Sequence, residues 1–469
     1  AIDRVIATGL LMIGPKALAE TDKEQSRLDV IDDQLDVVGR AFLGLTIGCA
    51  RCHDHKFDPI TTGDYYALAG IFRSTEVFRD ENRNASMWQE WPLPMAHHAP
   101  LMVMAPREGK TTDLRIHVRG DRHNLGPPAP RRFPEALAGT NQPLLPANQS
   151  GRLELARWIV SPSNPLTARV TVNRVWQHHF GTGLVATSDN FGARGERPSH
   201  PELLDWLAGE FIRSGWSIKH LHRLIVLSAT YQMSSNPERE MRNAASDSAK
   251  SKIQNPNSID PANRLLWRMP LRRLEAEELR DAMLAVSGRL DFTPGGNESG
   301  EFLFARGEVM DKNRDFFRPN RLRSDDPFYT NSRRRSIYLP VVRNAVPEVL
   351  ALFDGADPNA VTAARNDTTD PAQALFLLNH PIVRDASLHF ANRLLRDSAW
   401  TDRERIANGY RLALGRLPTA TELAAVLQFL DNYPHRHPGK EPDSASARLA
   451  AWQSFCQTLL CRNEFLYVE

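Results

Sequence analysis

The sequence predicts a mainly α protein: a helical segment bearing a Cys-x-x-Cys-His motif, a small β-containing connector, and a larger helical C-terminal domain. Three observations carry that expectation. Apolar residues recur at helical spacing, as in Ile31, Leu35, Val38, Phe42 and Leu45, and again in Leu271, Leu274, Leu279, Met283 and Val286. Prolines crowd the middle (Pro92, Pro94, Pro100, Pro106, Pro127, Pro128, Pro130), and there the helical period stops. Glycine and proline then punctuate the later helices where ends and starts are expected, at Gly181 and Pro201. The domains expected are 1–80, 81–150 and 151–469.

Taken in order, Ile6, Leu10, Leu11, Met12 and Ile13 form a first apolar helical cluster. Leu28 to Leu45 reads as one amphipathic helix running straight into the cysteine motif. Asp58-Pro59 and Thr61-Thr62-Gly63 mark a turn, after which Asp64 to Phe72 reads as a helix with Asp64 near its start. In the connector, Leu101–Met104 and Leu114–Arg119 read as strands, the second alternating apolar and basic residues before a Gly120-Asp121 turn. Helices are expected over Leu153–Val160, Leu166–Phe180, Pro201–Ser214, Ile218–Ser228 and 270–288. A long polar excursion covers 289–345, and the last hundred residues return to helix.

Composition narrows the function. The chain has 469 residues, 41% hydrophobic and 24% charged, which suits an ordinary globular protein with a sizeable interior. A formal charge of +2, without a basic stripe interleaved with aromatics, argues against nucleic acid. No apolar run reaches the length of a membrane span. Four cysteines leave no disulfide framework, and Cys456 and Cys461 fall on different faces of a helix, so both are expected as free thiols.

The chemistry centres on Cys49-Ala50-Arg51-Cys52-His53. Covalent haem c attachment needs two thiols, one for each vinyl group, and an adjacent imidazole as the proximal iron ligand. Cys49, Cys52 and His53 are therefore the candidate cofactor-binding residues, with His53 on the iron. A redox dithiol would not need His53, and a zinc site would need two further ligands near the motif. A third reading has the oxygen-rich tail (Asp54, Asp58, Asp64, with His55) hold a hard cation such as calcium. Under the haem reading His55, Asp54 and Asp58 support the site from behind. The sixth iron position could fall to Met87, Met95, Met102, Met104, His97 or His98.

Other clusters compete. Asn173, Arg174 and Gln177 share a helix with His178 and His179, followed by Asp189, Asn190, Arg194, Glu196, Arg197 and His200; capping and locking of helix ends is the plain interpretation. Arg272, Arg273, Glu275, Glu277, Arg280 and Asp281 suggest an ion-pair network. Arg333, Arg334 and Arg335, with Arg318, Arg321, Arg323 and Arg343, suggest an anion- or glycan-binding patch, a structural role weighing equally. No P-loop, G-x-S-x-G or dinucleotide fingerprint appears in strand–helix context.

The run from Gly39-Arg40-Ala41-Phe42-Leu43-Gly44 through Cys49-Ala50-Arg51-Cys52-His53-Asp54-His55-Lys56-Phe57-Asp58-Pro59 resembles the planctomycete-type cytochrome C domain. Downstream, Asn164-Pro165-Leu166-Thr167-Ala168-Arg169, Asn173-Arg174-Val175-Trp176, Ser228-Ala229-Thr230-Tyr231, Arg272-Arg273-Leu274-Glu275 and Arg334-Arg335-Ser336-Ile337-Tyr338 resemble its usual partner, a planctomycete-specific helical domain of unknown function. The resemblance covers nearly the whole chain. It implies secretion, haem and no settled activity. That family's first domain normally has a substantial stretch before the part seen here, so the chain reads as N-terminally incomplete.

The function expected is an exported c-type haem protein, periplasmic or extracellular, for electron transfer or redox chemistry with a partner protein, linked to polysaccharide breakdown. The alternatives are a glycan-binding or glycan-active module taking acidic polysaccharide, or a structural subunit of a secreted assembly. In those two the motif holds a metal ion or is structural. Under any of the readings a homo- or hetero-oligomer, or association with a separate N-terminal fragment, is open.

Overall fold

The computed structural model describes all residues except 1, 15–20, 79–88, 94–100, 236–258, 294–326, 340, 342, 344–345, 437–444 and 469. Its described part is mainly α, with only two-stranded sheets. The chain divides into two compact units, one of residues 1–270 with 359–364, the other of 271–358 with 365–469.

The first unit opens with α1 (Ile2–Thr8) and α2 (Lys23–Val38), the latter capped by Asp22, whose carboxylate accepts the Gln25 N–H at 3.1 Å. The expected single helix to Leu45 stops early. After Val38 the chain winds one π turn over Gly39–Leu43, and Gly44 then turns left-handed at φ 61°. Leu45 N–H closes the turn on the Gly39 carbonyl at 3.1 Å. A Cβ on Gly44 would lie 2.7 Å from the Phe191 ring, so glycine there serves both the turn and a close approach. The motif consequently sits in a short 3-10 turn, Ile47–Arg51, instead of on a long helix.

α3 (Thr62–Arg73) follows as expected. Thr61 and Asp64 form a reciprocal capping box, and Tyr65, Leu68, Ile71 and Phe72 are buried. The connector supplies the antiparallel pairs β1 (Thr75–Glu76) with β4 (Arg107–Glu108) and β2 (Glu90–Leu93) with β3 (Leu101–Met104). It also supplies β5 (Leu114–His117) with β6 (Leu125–Ala129), pairing Leu114 with Ala129 and His117 with Leu125. β5 ends two residues sooner than its alternation suggests, because Arg119 and Gly120 both take positive φ and turn the chain. α2, α3, this hairpin and the short α4 (Glu135–Ala138) and α5 (Arg152–Ile159) enclose a core of Ile31, Leu35, Leu43, Ile47, Ile71, Phe72, Phe133 and Leu155.

Next come α6 (Thr167–Phe180), α7 (Pro201–Arg213, proline in its first turn) and α8 (Ile218–Val226). α6 ends at Gly181 with φ 79°, as its glycine predicts. Val172, Trp176, Phe180, Leu204, Leu207, Phe211, Leu221 and Ile225 make a second core in the same unit. Each large side chain so buried stabilises by roughly 1.5–3 kcal/mol.

In the second unit, β7 (Arg272–Arg273) pairs antiparallel with β8 (Tyr467–Val468), so the start of the expected 270–288 helix is strand and cap. α9 (Ala276–Val286) begins only after the capping box of Glu275 and Glu278. Within 289–345 the described residues include α10 (Pro327–Asn331) and a 3-10 turn, Ser336–Tyr338. α11 (Glu348–Leu352), α12 (Pro371–Asn379), α13 (Pro381–Leu395), α14 (Asp402–Leu414), α15 (Ala420–Arg436), α16 (Ala445–Leu460) and α17 (Asn463–Leu466) complete it. Its core holds Phe390, Leu394, Ile406, Trp452, Phe455, Cys456 and Leu459. No helix among the described residues is long and apolar enough to cross a membrane.

Candidate functional site

The 3-10 turn divides its residues by face. Ile47 and Ala50 point into the core at 1% and 0% exposure, while Cys49 and Cys52 are free thiols open to solvent and His53 is exposed beside them. His53 Nδ1 lies 2.8 Å from the Asp54 carbonyl oxygen. A carbonyl only accepts, so Nδ1 donates, which in the neutral ring puts the lone pair on Nε2. Cys52 borders the β5–β6 turn, where a Cβ on Gly120 would come within 2.7 Å of the sulfur; only glycine lets the turn pack this close against the thiol.

Behind the thiols the turn is held by phenols and a guanidinium. The Tyr66 hydroxyl donates to the Arg51 carbonyl at 3.1 Å, and its ring lies 4.8 Å from that of His117. Burial pushes the Tyr66 phenol up to about 12. Arg51 reaches Asp32 at 3.2 Å and Asp29 at 3.3 Å, and the Tyr65 hydroxyl donates to Asp32 at 2.6 Å. Burial, with the neighbouring Arg51 charge, lowers the His117 imidazole below its ordinary value.

The oxygen-rich tail spreads out. Asp54 accepts from the Thr62 backbone at 2.8 Å and its hydroxyl at 3.1 Å. Asp64 belongs to the α3 capping box and also accepts the Glu135 N–H at 3.1 Å. Asp58 is buried and accepts the Ala193 N–H at 2.6 Å, its other oxygen 3.5 Å from His55 Nδ1. His55 is used on both ring nitrogens: Nδ1 accepts the Asp58 N–H at 2.8 Å, and Nε2 therefore donates to Thr46 Oγ1 at 3.0 Å. Among the described residues no three His, Cys, Asp or Glu side chains gather as a bare-ion site. Met87, Met95, His97 and His98 lie outside the described residues, as does the Met102 side chain; Met104 on β3 is 38% exposed.

The other clusters resolve into local tasks. Asn173 is wholly buried and bridges to Val185, donating to its carbonyl at 2.9 Å and accepting its N–H at 2.7 Å. Arg174 donates to the Ala41 and Arg40 carbonyls, and Gln177 to that of Ala363 at 3.4 Å. His179 and His222 join ring to ring at 2.7 Å across α6 and α8. In the second unit Arg280, 1% exposed, donates to the carbonyls of Ser332 at 2.7 Å and Arg334 at 3.0 Å and to Ser336 Oγ at 3.1 Å, pinning the loop before α11. Arg273 pairs with Asp354 at 2.6 Å and Asp367 at 3.1 Å, and Arg365 with Glu277. The Arg333–Arg335 triplet diverges: Arg335 faces Asp281 at 3.5 Å, the Arg334 charge is felt at Asp291, and that of Arg333 at Arg289 and His389.

Gly120, Tyr66 and Ala193 are the residues at the motif that sequence reasoning passed over. A tight turn at Gly120 was legible; its apposition to Cys52 was not. The family model PSD1, a protein of unknown function (DUF1553), matches residues 151–430, and the model PSCyt2, also a protein of unknown function (DUF1549), matches residues 2–77. No curated protein and no solved structure matches the chain.

Proposed function

We propose that this chain, which belongs to the PSD1 family of proteins of unknown function and carries a PSCyt2 segment ahead of it, is an exported c-type haem protein that passes electrons to a partner protein. The observation that carries the reading is the donor set at one exposed turn: two free thiols and an imidazole whose Nε2 meets no hydrogen-bond partner among the described residues. In thioether attachment the sulfurs bond to vinyl carbons and only His53 meets the iron, so accessible thiols fit the group better than thiols converging on an ion. Bound there by Cys49, Cys52 and His53, a haem would supply reversible one-electron exchange at its iron.

The chain's own residues prepare the turn. Donation from His53 Nδ1 to the Asp54 carbonyl fixes the tautomer and strengthens the ring as a ligand through Nε2. Tyr66 and Arg51 hold the backbone behind the cysteines, so exposed ligands stand on a packed base. Covalent haem attachment takes place outside the bacterial cytosol, which is why the proposal includes export. An exposed site suits the small, short-lived interfaces of electron carriers.

The test is expression of the chain with a bacterial haem-attachment system. A Soret band and a peroxidase-staining band that survives acid acetone are expected, both lost in the double variant Cys49→Ala, Cys52→Ala. In His53→Ala the covalent haem stays and its axial-ligand spectrum changes. Colourless protein from a system that loads a control cytochrome overturns the proposal.

A further inference from the structure

The motif turn has few means of holding its own shape. A single 3-10 turn offers poor hydrogen-bond geometry and few bonds, and here one whole face of it is turned to solvent. Its flanks, however, are gripped from the PSD1 side of the sequence, within the same compact unit. On the upstream flank, Arg174 of α6 donates to the Ala41 and Arg40 carbonyls at 2.7 Å each. The Arg174 guanidinium is held below its ordinary pKa by burial, so its two bonds are made where water competes little. Arg40 in turn reaches Asp189 at 2.8 Å, and the Phe191 N–H donates to the Gly44 carbonyl at 2.7 Å. On the downstream flank, buried Asp58 accepts from Ala193, and the Arg194 guanidinium sits 4.9 Å over the Phe57 ring. Two glycines permit the approach, one on each partner: a Cβ on Gly44 would strike Phe191 at 2.7 Å, and one on Gly192 would strike the Asp58 carboxylate at 2.4 Å.

We infer that PSD1 residues 174–194 are the built-in dock of the PSCyt2 motif turn, with Arg174 and Asp58 as positioning residues for Cys49, Cys52 and His53. The dock assigns a task to the first part of PSD1: it closes both ends of the turn and leaves the middle free to present its thiols and imidazole. The Asp58 carboxylate that accepts from Ala193 also lies 3.5 Å from His55 Nδ1, and so braces the ring that reaches Thr46. This inference concerns the shape of the turn and stands apart from what the thiols carry.

Hydrogen exchange and thiol alkylation of the full chain test it, without added cofactor. In Arg174→Met and Asp58→Ala, amides of 44–60 should exchange about ten-fold faster, and the alkylation rates of Cys49 and Cys52 should change, while α16 keeps its protection. Asp58→Asn retains an oxygen for Ala193 and should return most of the protection. Arg169→Ala, which breaks the Arg169–Asp205 ion pair elsewhere on α6, should leave 44–60 unchanged. Wild-type exchange over 44–60 in both Arg174→Met and Asp58→Ala overturns the dock. So does an equal rise in Arg169→Ala, or a loss of protection spread over the whole unit in every variant.

Discussion

The two cysteine pairs share a residue type and little else. Cys49 and Cys52 lie exposed on a turn whose other face is buried, with a glycine packed close against one sulfur. Cys456 is fully buried on α16 among Trp452, Phe455 and Leu459, and Cys461, half-buried, points its thiol at the Leu377 carbonyl at 3.4 Å. Burial raises both of the latter thiols above the ordinary thiol range, Cys456 far above it, because a thiolate would lose its water. A cysteine is chemical equipment only where the fold leaves it wet; in the second unit it is a small hydrophobe.

The sharpest way to break that comparison is alkylation under native conditions. Cys49 and Cys52 should label about a thousand-fold faster than Cys456, which reacts only through opening of the core; peptide mass spectrometry reads each site, and comparable rates would erase the distinction. A smaller effect sharpens it. Cys456→Ser places a hydroxyl in an apolar core and should cost about 2 kcal/mol, whereas Cys49→Ser should fall within about 0.5 kcal/mol of wild type; denaturant midpoints report both. The smallest concerns acid. Arg416 and a backbone N–H hold Glu422 down to about 2 in the folded chain, below its ordinary 4.5. A depressed carboxylate stabilises above its unfolded value, so the contribution is intact at pH 6 and is lost as pH falls from about 4.5 toward 2. Since Glu422 is one-fifth exposed, solvent screening limits it to about 1 kcal/mol. Glu422→Gln should remove that slope from the second unit's acid unfolding and leave exchange at the motif turn unaffected.

Much of the fold was legible because its signals are local. Thr61 and Asp64 announce α3, Gly181 ends α6 and Pro201 opens α7, each through a bond or a dihedral decided within a few residues. The failures have equally particular causes. The apolar stripe from Leu28 to Leu45 keeps helical spacing past Val38, yet Gly44 turns left-handed to meet Phe191, a residue far along the chain. Arg272 and Arg273 sit in front of a strongly periodic helix and become a strand because Tyr467 and Val468 return to pair with them. Asp54, Asp58 and Asp64 look like one oxygen-rich tail on paper, but each finds its own donors once the chain is folded.

By itself the sequence determined the mainly α composition, the helix ends at Gly181 and Pro201, and the close spacing of Cys49, Cys52 and His53, since these depend on residue type and short range. Tertiary structure alone decided which thiols face water, that Asp58 binds Ala193, and that Arg174 grips the turn before the motif. The physical reason is range: caps and periodicity are settled by neighbours in the chain, whereas desolvation and carbonyl pairing depend on which distant surface arrives.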